Sequence, residues 1–386
     1  MRKLLRRAVT TSGLLVAMVV VAPVVLACSV PVFRYALERW PSDPYEVAII
    51  HDGALSEKDR ALVDWMEGTV EDAGMAAPFY IRKVDRTEIE EGEALPAELP
   101  APPEDATLPW VVVRYPRHAR IPVPMWQGPL KPEDMEALLK SPARTQIAER
   151  LTQGQSAVWV LLESGDKTKD DKAAKLLRAE IKKLEEKLEL PQLTAAPADQ
   201  LAYGEETVPL KVDFSLLRVS RTDEAERMFI QMLLHTEKDL AELEDPMAFA
   251  VFGRGRALWA LVGPGINTPN IEETSFFLCG PCACQIKAMC PGVDMLMVVD
   301  WDSALMGETK VVAQLEELPE LIAPPASIEP TAVTTTTAVA PSTVRQPAVA
   351  TDAEGSPLAR NVAIAVGAGL IVVAAGTLIV MRGKRS

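Results

Sequence analysis

Two uncharged, mostly apolar segments near the two ends of the chain bound the part that can fold in water. The first covers residues 8–27 and the second covers residues 362–381. A run of this length matches the ~20 residues that a helix needs to cross a bilayer. Basic residues flank the outer side of each segment, so the positive-inside rule places both outer ends in the cytoplasm. The sequence therefore predicts a cell (inner) membrane protein whose bulk is extracytoplasmic, or periplasmic.

The N-terminal segment is typical of a bacterial export signal over residues 1–27. It ends at Val25-Leu26-Ala27-Cys28. This ending resembles a lipobox, the motif of lipoproteins in which the cysteine is lipidated and becomes the new N-terminus. The alternative is an uncleaved signal anchor followed by an incidental cysteine. Cys28 is thus the predicted lipidation site, and membrane lipid is a predicted partner.

The charge of the exported part excludes one class of partner. The chain holds 40 basic and 54 acidic side chains, and eight of the basic ones flank the two apolar segments. The part between them then has 32 basic against 54 acidic residues, a net charge of −22. A surface that neutralises phosphates needs the opposite sign, so nucleic acid is not a predicted partner. The same charge should repel anionic lipid headgroups.

Residues 28–44 form a juxtamembrane segment with one apolar stripe. Its members recur at helical spacing and are Val32, Phe33, Ala36, Leu37 and Trp40. The stripe fits two interpretations. The helix lies on the membrane surface, or it packs against the first domain.

Residues 45–152 are predicted as a first domain in which strands and helices alternate. Strands are predicted at 45–50, 79–84, 108–113 and 121–128, and helices at 56–72 and 131–139, with another beginning at Pro142. The order β-α-β-loop-β-β-α resembles the thioredoxin-like fold. In that family a proline, usually cis, opens the strand that starts the final hairpin. Pro109 stands at this position, so the resemblance implies a cis peptide bond there.

Residues 153–322 repeat the same order and are predicted as a second thioredoxin-like domain. Strands are predicted at 157–163, 214–219, 246–252 and 257–262, and helices at 169–189, 223–237 and 270–278. Pro246 is the counterpart of Pro109 and the second predicted cis proline. The predicted fold class is therefore α/β, with tandem thioredoxin-like domains between an N-terminal signal or lipid anchor and a C-terminal transmembrane helix.

The C-terminal region has a different composition. Residues 323–359 are rich in Pro, Thr, Ala and Val and show no apolar period, which predicts a disordered linker. A transmembrane helix is predicted at 361–381 and a cytoplasmic basic tail at 382–386.

Apart from Cys28, all cysteines lie in one stretch that begins Cys279-Gly280-Pro281-Cys282 and continues to Cys284 and Cys290. Cys-Gly-Pro-Cys is the motif of thioredoxin itself. In that family the first cysteine is a thiolate at a helix N-terminus, and the second resolves the mixed disulfide. The resemblance makes Cys279 and Cys282 the candidate catalytic pair of a thiol-disulfide oxidoreductase.

The position of this motif departs from the family pattern. The predicted strands 45–50 and 157–163 lead into loops that contain no cysteine, whereas Cys279 follows the closing helix 270–278. Both domains are therefore predicted to be redox-inactive at the standard position. Three chemistries stay open for the cluster: structural disulfides, thiol exchange, or zinc or copper bound by Cys279, Cys282, Cys284 and Cys290. No other cofactor is predicted.

Two histidines lie where side-chain chemistry is conceivable. His51 follows the first strand and, with Asp52, is a candidate acid–base pair. His118 lies in a basic turn that could bind an anion or a partner. A solvated loop histidine is the alternative in both cases.

Two functional hypotheses follow. In the first, the protein is a membrane-anchored binding or scaffold protein and an accessory of an inner-membrane complex. In the second, it carries out thiol-disulfide exchange or metal handling through the cysteine cluster. The sequence favours the first.

Overall fold

The structure is a computed structural model, and it describes residues 30–71, 78–90, 94–193, 201–205, 207–282 and 287–306. Several predicted features lie outside the described residues: the signal segment 1–27, Cys28, Cys284, the linker 323–359, the apolar segment 361–381 and the tail 382–386. In the described part of the chain, no helix is long and apolar enough to cross a membrane.

Helix α1 (Val32–Arg39) precedes a four-stranded sheet. The sheet has the order β2-β1-β3-β4 and consists of β1 (Tyr45–His51), β2 (Phe79–Asp85), β3 (Trp110–Arg114) and β4 (Trp126–Pro129). β1 is parallel to β2 and antiparallel to β3, which is antiparallel to β4. Helix α2 (Glu57–Glu71) joins β1 to β2, and helices α3 (Pro132–Leu139) and α4 (Pro142–Thr152) follow β4.

A second sheet repeats this order and adds one edge strand. It consists of β5 (Ala157–Glu163), β6 (Phe214–Ser220), β7 (Met247–Phe252), β8 (Arg256–Ala257), β9 (Leu261–Val262) and β10 (Val293–Asp294). Its order is β10-β8-β7-β5-β6, and β9 also pairs with β7. Its helices are α5 (Lys167–Lys187), α6 (Arg227–Leu234), α7 (Thr268–Cys279) and α8 (Trp301–Met306). The chain is thus a mixed α/β protein with two sheets.

The central strands β1 and β5 are nearly continuous apolar runs because both faces of each strand are covered. The first six residues of each are buried. Glu46 is the one charged residue among the buried positions of β1. Its carboxylate accepts hydrogen bonds from Arg82 at 3.2 Å and from Arg114 at 3.0 Å, on the two neighbouring strands. The pairing with both arginines offsets the cost of burying this charge.

Two predicted elements are divided in the structure. The helix predicted at 223–237 is a 3-10 turn (Glu224–Glu226) followed by α6. Glu226 turns inward at this break, where its carboxylate accepts hydrogen bonds from the Ser141 hydroxyl and the Ala143 N–H. The return strand predicted at 257–262 is divided into β8 and β9.

The segment 31–40 forms the predicted helix α1. Its stripe is buried within the protein, so the interpretation that it lies on the membrane surface is wrong. Packing against the first domain holds only in part, because Leu37 alone of the stripe belongs to the apolar cluster that contains first-sheet residues. The helix packs mainly against α7 and β7 of the second sheet, where Phe33 shares an apolar cluster with Trp159. A Cβ on Gly253, whose φ is +59°, would lie 2.7 Å from the Cβ of Ala36. The polar side of the helix is buried as well. There the side chains of Arg34 and Glu38 form an ion pair at 2.6 Å.

The two predicted cis prolines differ. The Leu108–Pro109 bond is cis, and it is the one cis bond among the described residues, so the expectation for Pro246 is wrong. Trans is the intrinsic preference of such bonds, and Pro246 makes the equivalent contact as the trans isomer. Gly263 N–H donates to its carbonyl at 2.9 Å, as Leu130 N–H donates to the Pro109 carbonyl at 2.8 Å.

The two sheets share one apolar core and belong to one compact unit. Two buried tyrosines of the first sheet region connect it to the second. The Tyr45 hydroxyl donates to the Asp294 carbonyl at 2.7 Å, and the Tyr115 hydroxyl donates to the Met232 carbonyl at 2.6 Å. Burial raises the pKa of both tyrosines well above its usual value. The predicted domains 45–152 and 153–322 are therefore joined by buried contacts.

Candidate functional site

The loop after β1 holds its polar side chains in separate local contacts. The Asp52 carboxylate accepts two hydrogen bonds from Arg86, at 2.7 and 2.6 Å, and this pairing lowers the pKa of Asp52. His51 instead directs Nδ1 to the Gly53 carbonyl at 2.7 Å. The two neighbours thus have different partners, and the structure does not bring them together as an acid–base pair.

The loop after β5 is closed by a buried carboxylate. Asp170, which is 3% exposed, accepts hydrogen bonds from the Ser164 N–H and hydroxyl, each at 2.8 Å, and from the Gly165 N–H at 3.0 Å. Asp166 caps helix α5 by accepting from Thr168 N–H at 2.9 Å. These hydrogen bonds hold residues 164–166, the loop after β5, against the start of α5.

A pocket lies beside this loop. It has a volume of about 420 Å³ and is formed by the first half of α5, the residues preceding β7 and the turn after β9. Its lining residues are Lys169, Lys172, Ala173, Leu176, Asp245, Pro246, Gly263, Pro264 and Ile266. The pocket thus combines an apolar wall with charged groups at its edge.

The charges of this pocket are unevenly paired. Lys169 Nζ contacts Asp245 Oδ1 at 2.9 Å, whereas exposed Lys172 makes no ion pair with any described residue. A ligand that presents an apolar group next to a carboxylate would match the apolar wall and the unpaired Lys172. Sequence analysis missed the pocket. The sequence feature that could have indicated it is Pro246, which directly precedes β7 and lines the pocket together with the N-terminal part of α5.

The cysteine cluster lies away from this pocket, at the other end of α7. Cys279 is the last residue of α7, and Cys282 N–H donates to the Val30 carbonyl at 2.9 Å. The carbonyl of Cys290 accepts from the Arg256 guanidinium at 2.7 Å. All three side chains are buried in one apolar cluster that also contains Phe33 of α1. The structure therefore brings the described cysteines into the core around the N-terminal segment.

The environment of Cys279 opposes thiolate formation. Burial raises the pKa of its thiol to about 12. At pH 7 the thiolate is then on the order of 10⁻⁵ of the population, since each pKa unit is a factor of ten. The cysteine also lies at a helix C-terminus, whose partial negative charge disfavours an anion. Thiolate is the species that attacks a disulfide, so this site is poorly suited to exchange.

The described residues contain no group of three or more His, Cys, Asp or Glu side chains placed to hold a metal ion. Cys284, one of the four predicted ligands, lies outside them.

His118 lines a second cavity, of about 400 Å³. The charged groups there already pair with one another. Arg256 contacts Asp294 at 2.7 Å, and Lys287 contacts both Asp43, at 3.1 Å, and Asp294. The balanced pairs give this cavity less capacity for a charged ligand than the pocket beside Pro246.

No protein-family model matches the chain, and comparisons with curated proteins and with solved structures find no match either. The chemistry of the candidate site therefore follows from its own residues.

Cys279 is expected to resist alkylation in the folded protein. After mild reduction at pH 7, iodoacetamide should leave it unmodified, because the thiol is both buried and protonated. The same protein in denaturant should be modified fully. Peptide mass spectrometry of the two samples measures the difference. Rapid modification of Cys279 in the native sample would contradict the buried, protonated environment described above.

Proposed function

We propose that this chain is a membrane-anchored, extracytoplasmic binding or scaffold protein built on two redox-inactive thioredoxin-like modules. Support for the fold comes from the two sheets, which share the same strand order and the same parallel and antiparallel pairing. Pro109 and Pro246 make equivalent backbone contacts just before β3 and just before β7. The anchoring segments predicted from the sequence support the location in the inner membrane.

The observation that carries the binding role is the pocket beside Pro246. It lies where the resemblance places the chemistry of the family, yet the adjoining loop 164–166 contains no cysteine and is held by Asp170 of α5, which accepts from Ser164 N–H. A partner can bind at such an edge without any reaction taking place. The occupant we propose is a segment of another envelope or inner-membrane protein that presents an apolar side chain next to a carboxylate. Nucleic acid is not among the proposed partners.

The competing hypothesis of thiol exchange has less support. Its candidate residues Cys279 and Cys282 are buried, and the pKa of the Cys279 thiol is raised to about 12. The hydrogen bond from Cys282 N–H to the Val30 carbonyl, and the apolar cluster that both cysteines share with Phe33, favour a structural role instead.

Photo-crosslinking in the native membrane tests the binding role. A benzophenone amino acid replaces Lys172 at the pocket or, as the matched control, Lys175, an exposed lysine of the same helix outside the pocket lining. We expect one specific adduct from position 172 that is missing from position 175. Identical adduct patterns at the two positions would contradict binding at the pocket.

A disulfide-reduction assay at pH 7 separates this function from thiol exchange. The wild type and the variant with Cys279→Ser and Cys282→Ser should both match the uncatalysed rate. Catalysis by the wild type that disappears in the variant would replace the binding role with an oxidoreductase activity.

A further inference from the structure

Two large aromatic side chains near the end of α7 are exposed. Phe276 is 49% exposed and Trp259 is 38% exposed. The Trp259 ring lies 6.2 Å from the ring of half-buried Phe277. Phe276 is the chain neighbour of Phe277 on α7, and we call Trp259, Phe276 and Phe277 the aromatic face. Exposed apolar patches of this kind are typical of sites that contact another protein or a membrane.

The aromatic face is connected directly to the N-terminal segment. Phe276 lies in the last turn of α7, and its carbonyl accepts from Gly280 N–H at 2.9 Å. The Gly280 carbonyl in turn accepts from Val32 N–H at 3.0 Å, and Cys282 N–H donates to the Val30 carbonyl at 2.9 Å. The chain therefore enters the fold beside the end of the helix that carries the face.

The predicted anchor lies within a short reach of this entry point. Cys28 precedes Val30 by two residues, and two extended residues span at most about 7 Å. If the signal remains uncleaved, its apolar segment ends at Ala27, at most about 11 Å from Val30. Either form of anchor places the bilayer surface close to the end of α7.

The charges near the face are compatible with a lipid surface. Lys183 and Lys187 both contact Glu272, at 3.6 and 3.2 Å, and Lys183 also contacts Glu180 at 3.2 Å. Lys187 Nζ lies 5.5 Å from the centre of the Phe276 ring. Lys183 and Lys187 thus offset Glu180 and Glu272, and exposed Glu273 leaves a net charge of −1 on these five groups. Zwitterionic headgroups carry no net charge that would repel these groups, and aromatic side chains are enriched among headgroups.

We propose that the aromatic face rests on the outer surface of the membrane that holds the anchor, with Trp259 and Phe276 in the headgroup region. This inference rests on the anchoring in the proposed function and adds the orientation of the folded part. The pocket lies toward the other end of α7. The helix α7 begins at Thr268, two residues after the lining residue Ile266, and eight residues separate Thr268 from Phe276, which is about 12 Å along the helix. In this orientation a partner reaches the pocket above the headgroups.

Fluorescence quenching by brominated lipid tests the orientation. The full chain is reconstituted in phosphatidylcholine vesicles, with or without bromine on the acyl chains near the headgroups. The emission of Trp259 is obtained as the difference between wild type and Trp259→Phe, which conserves an aromatic ring. Trp126→Phe is the matched control, because Trp126 is a half-buried tryptophan of β4 in the first sheet.

The bromine should quench the Trp259 component and leave the Trp126 component unchanged. Flotation of the vesicles tests the membrane anchoring separately from the orientation of the folded part. If the protein floats with the vesicles and the Trp259 component is not quenched, the orientation is overturned and the anchoring stands. If the protein does not float with them, the proposed anchoring is overturned, and the orientation with it.

Discussion

Replacing Arg144 with methionine is expected to lower the free energy of unfolding by about 3–5 kcal/mol, because three backbone carbonyls lose a charged donor. Arg144 is 3% exposed, and its guanidinium donates to the carbonyls of Leu296, Leu138 and Ala137. Methionine fills much of the same volume but supplies no donor. Three carbonyls would then lose this partner, and two of them, those of Leu296 and Leu138, lie in an interior closed to water, where such a loss is costly.

Urea-induced unfolding, followed by tryptophan fluorescence, measures this effect. Arg150→Met is the matched control on the same helix α4. The half-buried Arg150 guanidinium donates to Ser215 Oγ and Gln146 Oε1, each at 3.2 Å, and water can replace these contacts. Its loss should cost about 1 kcal/mol. Equal unfolding midpoints for the two variants would argue that Arg144 does not hold the fold together.

The deficit of the Arg144→Met variant should depend on pH. Burial raises the pKa of Glu226, and the charge of Arg144 opposes that rise, so removing the arginine raises the pKa further. A carboxyl with a raised folded-state pKa contributes stability below its unfolded pKa and loses it as pH rises through the folded value. The deficit should therefore be larger at neutral pH than near pH 4, which is close to the ordinary pKa of Glu. A deficit that grows on acidification would contradict this coupling.

The second large effect is expected for Arg34→Met, which should also lower the free energy of unfolding by about 3–5 kcal/mol. Arg34 is fully buried, and its guanidinium contacts Glu38 at 2.6 Å. It also donates to the carbonyls of Val208 and Tyr203, each at 2.8 Å. Its removal would leave the Glu38 carboxylate buried without its cation, which costs more than an exposed charge would.

A double variant isolates this cause. Adding Glu38→Met to Arg34→Met removes the stranded charge, and buried ion pairs replaced by apolar residues are often neutral in stability. The double variant should therefore be more stable than Arg34→Met by about 1 kcal/mol or more. Arg39→Met, at an exposed arginine of the same helix, is the control. The mechanism fails if the double variant is less stable than the single one.

The element order of both sheets could be predicted from sequence because it rests on local patterns. The strand predicted at 157–163 has the observed bounds of β5, and most other elements agree within two residues. Apolar runs and helical spacing are properties of neighbouring residues, so they survive in any fold that buries one face. The position of Cys279 at the end of the closing helix followed from the same patterns.

The candidate site could be predicted only in part. Its pocket combines Lys169 with Asp245, which pair although they are 76 residues apart, and no local pattern connects them. The isomer of the Pro246 peptide bond was likewise not predictable from its place in the order. The Lys169–Asp245 pair and the isomer of the Pro246 peptide bond both depend on which segments of the chain meet. The packing of the whole sheet determines those contacts.

By itself the sequence determined that residues 32–39 are helical and have one apolar stripe. The tertiary structure alone decided that this helix is buried on both sides. Arg34 meets carbonyls that lie 169 and 174 residues further along the chain, and these contacts make its burial possible. Periodicity reports the face that a helix can bury, whereas the burial of its charged side depends on distant backbone groups that supply the missing hydrogen bonds.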